Sequence, residues 1–229
     1  MTDRPVLLIT GASSGIGAAT ARHAVNAGYR VVLGARSEQR LHSLELELGQ
    51  ESAVAVRSDV ADWNDQQTLV ATALERFGRL DATFANAGVG ARRGFLAESV
   101  EHWRTMIDTN VLGPALSIRA ALPQFRQQGR GHVLLTSSVA GRRALAGSLY
   151  SATKFAVTAI GEALRQEVSG TDIKVTLIEP GMVDTPFFDD RPQGALEPDD
   201  VARAVIYALS QPAHVDVNEI LMRPIQQST

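Results

Sequence analysis

Cysteine is absent from this sequence of 229 residues. Without thiols the chain can form neither disulfide bonds nor metal sites with thiolate ligands. Its five histidines, at positions 23, 42, 102, 132 and 214, lie far apart and lack the short spacings of a metal-binding motif. We therefore predict no metal site.

An excess of charge of one sign is missing as well, and so are long apolar runs. Lys and Arg together number 22 and Asp and Glu 25, a formal net charge of −3, so the basic surface of a nucleic-acid-binding protein is not expected. No apolar run approaches the roughly 20 residues of a membrane-spanning helix, and the N-terminus lacks the apolar stretch of a secretory signal. We expect a cytoplasmic protein that binds no nucleic acid and no membrane.

Short apolar segments alternate along the chain with longer segments of helical periodicity. The predicted strands are residues 6–10, 30–35, 53–57, 80–85, 132–136, 174–178 and 219–222. Several are apolar almost throughout, as in a parallel sheet covered on both faces. The predicted helices are residues 16–27, 62–77, 103–125, 150–168 and 199–210. This order predicts a single α/β domain over residues 1–229, a doubly wound (Rossmann-type) parallel sheet of about seven strands with helices on both faces.

The first predicted strand ends in TGASSGIG, residues 10–17, and a helix begins directly after it. Glycines allow such a turn to approach a pyrophosphate closely, while the helix N-terminus offers free N–H groups and a partial positive charge. The strand–turn–helix context is the one that this motif requires. We therefore predict a dinucleotide site; the alternative is a glycine-rich turn without a ligand.

Further motifs follow this turn in a fixed order. The glycines form the pattern G-x-x-x-G-x-G, and the later motifs are Asp59-Val60, NAG at 86–88, Asn110, SSVAG at 137–141, YSATK at 150–154 and PGMVDT at 180–185. In this order they resemble the short-chain dehydrogenase/reductase family, from about residue 6 to the C-terminus. The final segment, NEILMRPIQQST, is most similar to the branch of NADP-dependent 3-hydroxy acid dehydrogenases and aldehyde or ketone reductases. The resemblance implies an oxidoreductase that acts on a small-molecule alcohol or carbonyl.

The cofactor is predicted from the end of the second strand. Enzymes that use NAD carry an acid there, which bonds the ribose 2′-hydroxyl, whereas this chain has Ala35 followed by Arg36. A guanidinium binds a 2′-phosphate with paired hydrogen bonds, so we predict NADP (NADPH), with Ser13 or Ser14 also near the phosphate. The alternative is that Arg36 is a solvated surface charge. With the motifs of the resemblance, the predicted cofactor residues are Gly11, Ser13, Ser14, Gly15, Ile16, Gly17, Arg36, Asp59, Val60, Asn86, Ala87, Gly88, Tyr150, Lys154, Pro180, Gly181, Val183 and Thr185.

Tyr150 and Lys154 are four residues apart on a predicted helix and therefore share a face. A free tyrosine titrates near pH ~10, and lowering its pKa by about 2–3 requires roughly 3–4 kcal/mol. A lysine charge about 5 Å away, at an effective dielectric constant of ~20, supplies roughly 3 kcal/mol. The spacing thus predicts a lowered pKa for Tyr150. The alternative is a helix with a half-buried tyrosine and a lysine that extends to solvent.

The resemblance implies a role for each of four predicted catalytic residues. Tyr150 is the acid/base on the substrate oxygen, Lys154 binds the nicotinamide ribose and lowers the tyrosine pKa, Ser138 orients the carbonyl, and Asn110 supports a proton path through water. The family's serine usually lies thirteen residues before the tyrosine, which is Ser137 here, but the SSVAG pattern favours Ser138. We prefer Ser138 because neighbouring side chains at a strand end face opposite ways.

The substrate is not specified by these motifs. Arg92, Arg93, Arg142 and Arg143 follow predicted strand ends, and the hypothesis that one contacts an anionic substrate competes with the interpretation that all are solvated. Phe187 and Phe188 either close a small apolar pocket or pack into the core. The resemblance implies a homo-oligomer, and it favours a tetramer over a dimer. A non-catalytic dinucleotide sensor is the alternative function, which the four catalytic residues together disfavour.

Overall fold

The computed structural model describes residues 4–187 and 193–227. Its strands are β1 Val6–Thr10, β2 Arg30–Ala35, β3 Ala53–Arg57, β4 Ala82–Ala85, β5 Arg130–Thr136, β6 Asp172–Pro180 and β7 Glu219–Met222. They form one sheet in the order β3-β2-β1-β4-β5-β6-β7, and every pairing is parallel. The predicted doubly wound parallel sheet is therefore confirmed.

Helices cover both faces of this sheet. They are α1 Gly15–Asn26, α2 Glu38–Leu48, α3 Trp63–Phe77, α4 Val100–Ile107, α5 Gly113–Gln128, α6 Leu149–Glu167 and α7 Pro198–Leu209. Side chains alternate along the strands: Leu7 and Ile9 join an apolar cluster with α1, α2 and α7, while Val6 and Leu8 join a second cluster with α3, α5 and α6. This double burial explains why the strands are apolar almost throughout.

The predicted helix 103–125 is helical throughout, but it spans residues 100–128 and contains a π-helical turn. The chain forms α4, then a π-helical turn over Asp108–Leu112, then α5. Pro114 gives the physical reason: it has no N–H, so the carbonyl of Asn110 lacks the donor that a regular helix would supply four residues later. Asp62 is the N-cap of α3, since its carboxylate accepts from the N–H groups of Asn64 and Asp65.

The strand order reverses between β1 and β4. From β1 the chain adds β2 and β3 on one side, and from β4 it adds β5, β6 and β7 on the other. In open α/β sheets the ligand crevice lies at such a reversal, beyond the carboxyl ends of the strands. The segments that follow β1, β4, β5 and β6 reach this edge, and they carry the predicted site residues. The excursion between β6 and α7 begins here too; it returns through a bridge between Val183 and Leu196, and its residues 188–192, including the predicted Phe188, lie outside the described residues.

Candidate active site

The glycine turn between β1 and α1 is closely packed. Gly11 and Gly15 have positive φ angles of 67° and 52°, which side-chain-bearing residues rarely adopt. A Cβ atom at Gly17 would lie 2.3 Å from the carbonyl oxygen of Gly11, and one at Gly11 would lie 2.8 Å from the Cα atom of Ala87. The turn therefore packs so tightly against itself and the loop after β4 that only glycine fits at these positions.

The N-terminus of α1 opens onto the same crevice. Ser14 is the N-cap, but its side chain makes no capping hydrogen bond, so the first N–H groups of α1 have no capping side-chain partner. Ser13 and Ile16 are partly exposed beside it. Free N–H groups at a helix N-terminus, next to a turn that a Cβ would obstruct, fit the pyrophosphate of a dinucleotide.

Two other loops border the glycine turn. In the NAG motif, Asn86 donates from its side chain to the carbonyl of Thr10 at 3.1 Å, which fixes the loop after β4 against β1. In the PGMVDT motif, the Cγ2 atom of Thr185 would lie 3.0 Å from a Cβ at Gly15. The predicted cofactor residues of three motifs thus meet at one edge of the sheet. Two earlier residues of PGMVDT differ in exposure: Val183 is buried, while Gly181 is partly exposed.

Arg36 lies at the carboxyl end of β2, directly after the buried Ala35. Its side chain is exposed, and within the described residues its guanidinium makes no hydrogen bond or ion pair. Across the neighbouring strand, Asp59 is exposed and donates its N–H to Asp65, while Val60 is buried against Gly113. A cation with no partner among the described residues could bind an anionic ligand.

Lys154 and Tyr150 lie one turn apart on α6 and on the same side. The Nζ atom of Lys154 is 5.6 Å from the centre of the Tyr150 ring, and it donates to the carbonyl of Thr136 at 2.7 Å. The lysine is only 4% exposed. Its Nζ would lie 3.7 Å from a Cβ at Gly88, so the ammonium faces the NAG loop and not bulk solvent.

Asn110, which the π-helical turn carries, connects this helix to the loop after β4. Its Oδ1 atom accepts from the N–H of Val89, while its Nδ2 atom donates to the Val89 carbonyl at 2.9 Å and to the Thr153 hydroxyl at 3.1 Å. The side chain is buried. These bonds hold Asn110 beside Gly88 and the lysine.

The two serines after β5 face opposite ways. The Ser138 side chain lies near the hydroxyl of Tyr150, whose pKa it acts to lower, and its Oγ atom donates to the carbonyl of Pro180 at 3.2 Å. Ser137 turns to the other side of α6, where its Oγ atom donates to the Lys154 carbonyl at 3.0 Å and lies 2.8 Å from the Thr158 hydroxyl. The structure therefore places Ser138 near the tyrosine, while the Ser137 side chain is bonded to the backbone of α6 and to Thr158.

Burial shifts the pKa values of both α6 groups toward their neutral forms. It raises the pKa of Tyr150 above its ordinary range, and the Ser138 side chain offsets only part of this rise. It lowers the pKa of Lys154 from 10.5 to about 8. The lowered tyrosine pKa expected from the spacing is therefore not what these residues produce on their own. The spacing of the two residues accounts for the attraction between the phenolate and the ammonium. It does not include the free-energy cost of removing both charges from water, which is larger here.

An aromatic side chain covers the phenol. The rings of Phe187 and Tyr150 meet edge to face, with their centroids 5.5 Å apart. A Cβ at Gly90 would lie 2.9 Å from the Phe187 ring, so the ring fits between the loop after β4 and the tyrosine. Phe187 lines the approach to the phenol and does not pack into the core.

Of the four loop arginines, Arg142 has its own partners. It forms ion pairs with Glu179 and Glu219, so its guanidinium is not free for substrate. Arg92, Arg93 and Arg143 are exposed. Glu179 was not among the predicted site residues. Its signal in the sequence is a carboxylate near the end of the apolar run TLIEP, where a buried charge is unusual.

The described residues contain no group of three or more His, Asp or Glu side chains arranged to hold a metal ion. Nor does any helix in the described part of the chain combine the length and the apolar character needed to cross a membrane.

Comparison with known proteins places these features in a family. The family model described as short chain dehydrogenase matches residues 5–195. An uncharacterized oxidoreductase of Staphylococcus haemolyticus is 43% identical over 224 residues, which cover 96% of this chain and 97% of that protein.

Solved structures agree with this sequence similarity. Serine dehydrogenase from Escherichia coli superposes with a TM-score of 0.89 at 34% identity and covers 98% of this chain and 100% of that one. An alcohol dehydrogenase from the archaeon Thermococcus sibiricus, complexed with 5-hydroxy-NADP, reaches 0.91 at 33% identity, with 99% of each chain covered. A 3-ketoacyl-(acyl-carrier-protein) reductase from Brucella melitensis, complexed with NADH, reaches 0.87 at 29% identity, covering 97% of this chain and 98% of that one.

Proposed function

The chain belongs to the short-chain dehydrogenase family, and from this premise we propose that it is an NADP(H)-dependent oxidoreductase. It transfers a hydride between nicotinamide and a secondary alcohol or carbonyl, with Tyr150 as acid/base. One observation carries the proposal: Tyr150 lies one turn from the buried Lys154 on α6, with the Nζ atom 5.6 Å from the centre of the phenol ring and facing the NAG loop, which is bonded to the start of the glycine turn.

The raised pKa of Tyr150 keeps the phenol in its protonated form. A phenol that keeps its proton at neutral pH is ready to donate it to the oxygen of a carbonyl undergoing reduction. Ser138, whose side chain lies near the same hydroxyl, is the residue we assign to orienting that oxygen. The bound cofactor supplies or accepts the hydride, and Lys154 is the group we assign to its ribose hydroxyls. Asn110 holds the backbone of Val89 next to this group.

The preference for NADP rests on Arg36. Its guanidinium is exposed and unpaired within the described residues, and the buried Ala35 stands where a carboxylate would repel a 2′-phosphate. Related structures carry different cofactors, since one is complexed with 5-hydroxy-NADP and another with NADH. The experiment is the ratio of kcat/KM for NADPH and NADH; a preference for NADH would contradict the assignment.

The similarity to serine dehydrogenase and to an alcohol dehydrogenase supports a proposal for the substrate class. We propose 3-hydroxy acids, or the corresponding aldehydes and ketones, approaching past Phe187. A panel of hydroxy acids, alcohols, aldehydes and ketones, followed by NADPH absorbance, tests this. Exposed apolar side chains along α4 to α6, including Ile107 and Phe155, support a homotetramer or dimer, which light scattering measures.

The decisive variant is Tyr150→Phe. We expect turnover to fall by about 10²–10⁴-fold, the contribution of a positioned acid, while NADPH affinity stays close to that of the unmodified protein. The competing function, a dinucleotide sensor, predicts tight NADPH binding with no turnover of any substrate and no difference between the two proteins.

A further inference from the structure

One acidic side chain in the described residues has no exposed surface: Glu179, near the end of β6, is 0% exposed, and no other Asp or Glu there is comparably buried. Its Oε1 atom accepts from the Nε atom of Arg142 at 2.7 Å. Its Oε2 atom is buried and makes no hydrogen bond within the described residues. A buried ion pair is a poor device for stability, because apolar side chains of the same volume commonly do as well. The placement therefore requires another explanation.

The residues around Glu179 come from three segments of the candidate site: the loop after β5, the end of β6 and α6. Arg142 follows the short helical turn Val139–Gly141 that begins directly after Ser138. The next residue along β6 is Pro180, whose carbonyl accepts the hydroxyl of Ser138. Glu179 thus lies one residue from a bonding partner of Ser138 and pairs with a residue four positions after that serine.

A second set of contacts leads from Glu179 into α6. The hydroxyl of Thr158, one turn after Lys154, lies 3.5 Å from the carboxylate. The same hydroxyl lies 2.8 Å from Ser137, which donates to the backbone carbonyl of Lys154. The loop after β5 packs closely against α6 here, since a Cβ at Gly141 would lie 2.7 Å from the Lys154 carbonyl oxygen.

We propose that Glu179 is a positioning residue, which acts through Arg142 and Thr158 to hold Ser138 and the Tyr150–Lys154 turn of α6 in register with the Pro180 turn. This inference rests on the proposed function for its effect on turnover. Displacements of about 1 Å in reacting groups can cost on the order of 10²-fold in rate, so a charge that fixes three segments affects kcat before it affects cofactor binding.

The test is Glu179→Gln, which keeps the shape of the side chain and removes its charge. We expect kcat to fall by about 10- to 100-fold, with KM and the NADPH Kd changed by less than about twofold. The matched control is Glu219→Gln, because Glu219 pairs with the same arginine but its side chain is 44% exposed; its kcat should stay within about twofold of the unmodified protein. An unchanged kcat with a lowered Tm in Glu179→Gln would make the residue merely structural, and an equal loss in Glu219→Gln would overturn the assignment.

A double-mutant cycle with Arg142→Gln tests the route of the effect. If Glu179 acts through Arg142, the loss caused by Glu179→Gln is much smaller in the Arg142→Gln background; two losses that simply add refute that route. Should Glu179→Gln fail to fold, Thr158→Val is the substitute. It removes the hydroxyl link while keeping a β-branched shape, and a kcat equal to that of the unmodified protein would count against the proposal.

A readout independent of turnover separates this inference from the proposed function. The chain has 3 tyrosines, so ¹³Cζ-labelled tyrosine gives few resonances, and Tyr150→Phe identifies the one of interest. We expect the Tyr150 resonance to move in Glu179→Gln and to stay in place in Glu219→Gln. If the unmodified protein turns over no substrate, the proposed function fails, but a shifted resonance still supports the positioning role and an unmoved one overturns it.

Discussion

Replacing Lys154 by methionine should stabilise the folded chain while abolishing its activity. The lysine is 4% exposed, and burial lowers its pKa from 10.5 to about 8. At about 1.36 kcal/mol per pH unit, keeping its charge in the folded state costs roughly 3 kcal/mol at neutral pH. Methionine loses the hydrogen bond to the Thr136 carbonyl, which contributes about 1.5 kcal/mol or somewhat more. The expected net gain in unfolding free energy is therefore about 1–2 kcal/mol.

The pH dependence of this gain identifies its origin. A lysine whose folded-state pKa is depressed carries its full cost only below about pH 8, where both the folded and the unfolded chain hold the proton. The cost falls as the pH rises toward 10.5, because the folded chain loses its proton first. By about pH 9 the roughly 3 kcal/mol has decreased to about 2, and the advantage of methionine should be nearly gone.

Urea unfolding at about pH 7, 8 and 9 measures this difference for the two proteins. The chain offers a matched control in its other lysine, Lys174, which is partly exposed and donates to the carbonyls of Gln211 and Pro212. Lys174→Met should give no gain in stability, since it removes the two hydrogen bonds of a partly exposed lysine. A Lys154→Met protein that is less stable than the unmodified one at about pH 7, or a gain that grows with pH, would refute the reasoning.

Three other variants test the crevice and the core. Arg36→Glu should raise the KM for NADPH by about 10- to 100-fold and leave that for NADH unchanged or lower, since charge-assisted bonds contribute about 1.5–3 kcal/mol; equal effects on both would exclude a 2′-phosphate contact. Gly17→Ala places a Cβ 2.3 Å from the Gly11 carbonyl, so calorimetry should show weaker NADPH binding and urea unfolding a loss of about 1–3 kcal/mol. Burial, then the Lys174 charge, lowers the pKa of His132 to about 3. The folded chain therefore loses about 1.4 kcal/mol per pH unit from this group below about pH 6.5, and His132→Gln should flatten that acid-side slope.

Local patterns in the sequence predict most of the fold. Apolar periodicity and turn residues locate the strands, because each strand of a doubly wound sheet is buried on both faces. The exceptions have local physical causes. The break at Asn110 follows from the missing N–H of Pro114, a signal present in the sequence. The helix α2 was not among the predicted segments, since few of its residues are apolar and only Leu41 and Leu44 are buried.

The candidate site was less predictable, because its chemistry depends on burial. The motifs locate Tyr150 and Lys154 and their spacing, which the structure brings together as expected. Their pKa values depend on how much water the folded loops exclude, including the cover that Phe187 provides, and spacing along a helix carries no information about that. The direction in which Ser138 and Ser137 point is fixed in the same way by the packing of a strand end against α6.

The residues that violate the rules of the core mark the site more clearly than those that obey them. The described residues bury one carboxylate, that of Glu179, and one ammonium, that of Lys154. Neither buried charge is expected to stabilise the folded protein. Both lie within one or two contacts of Ser138. Proteins break the local rules of folding mainly where function requires it, so the cost of these two buried groups is itself an argument that the segments around Ser138 form the functional site.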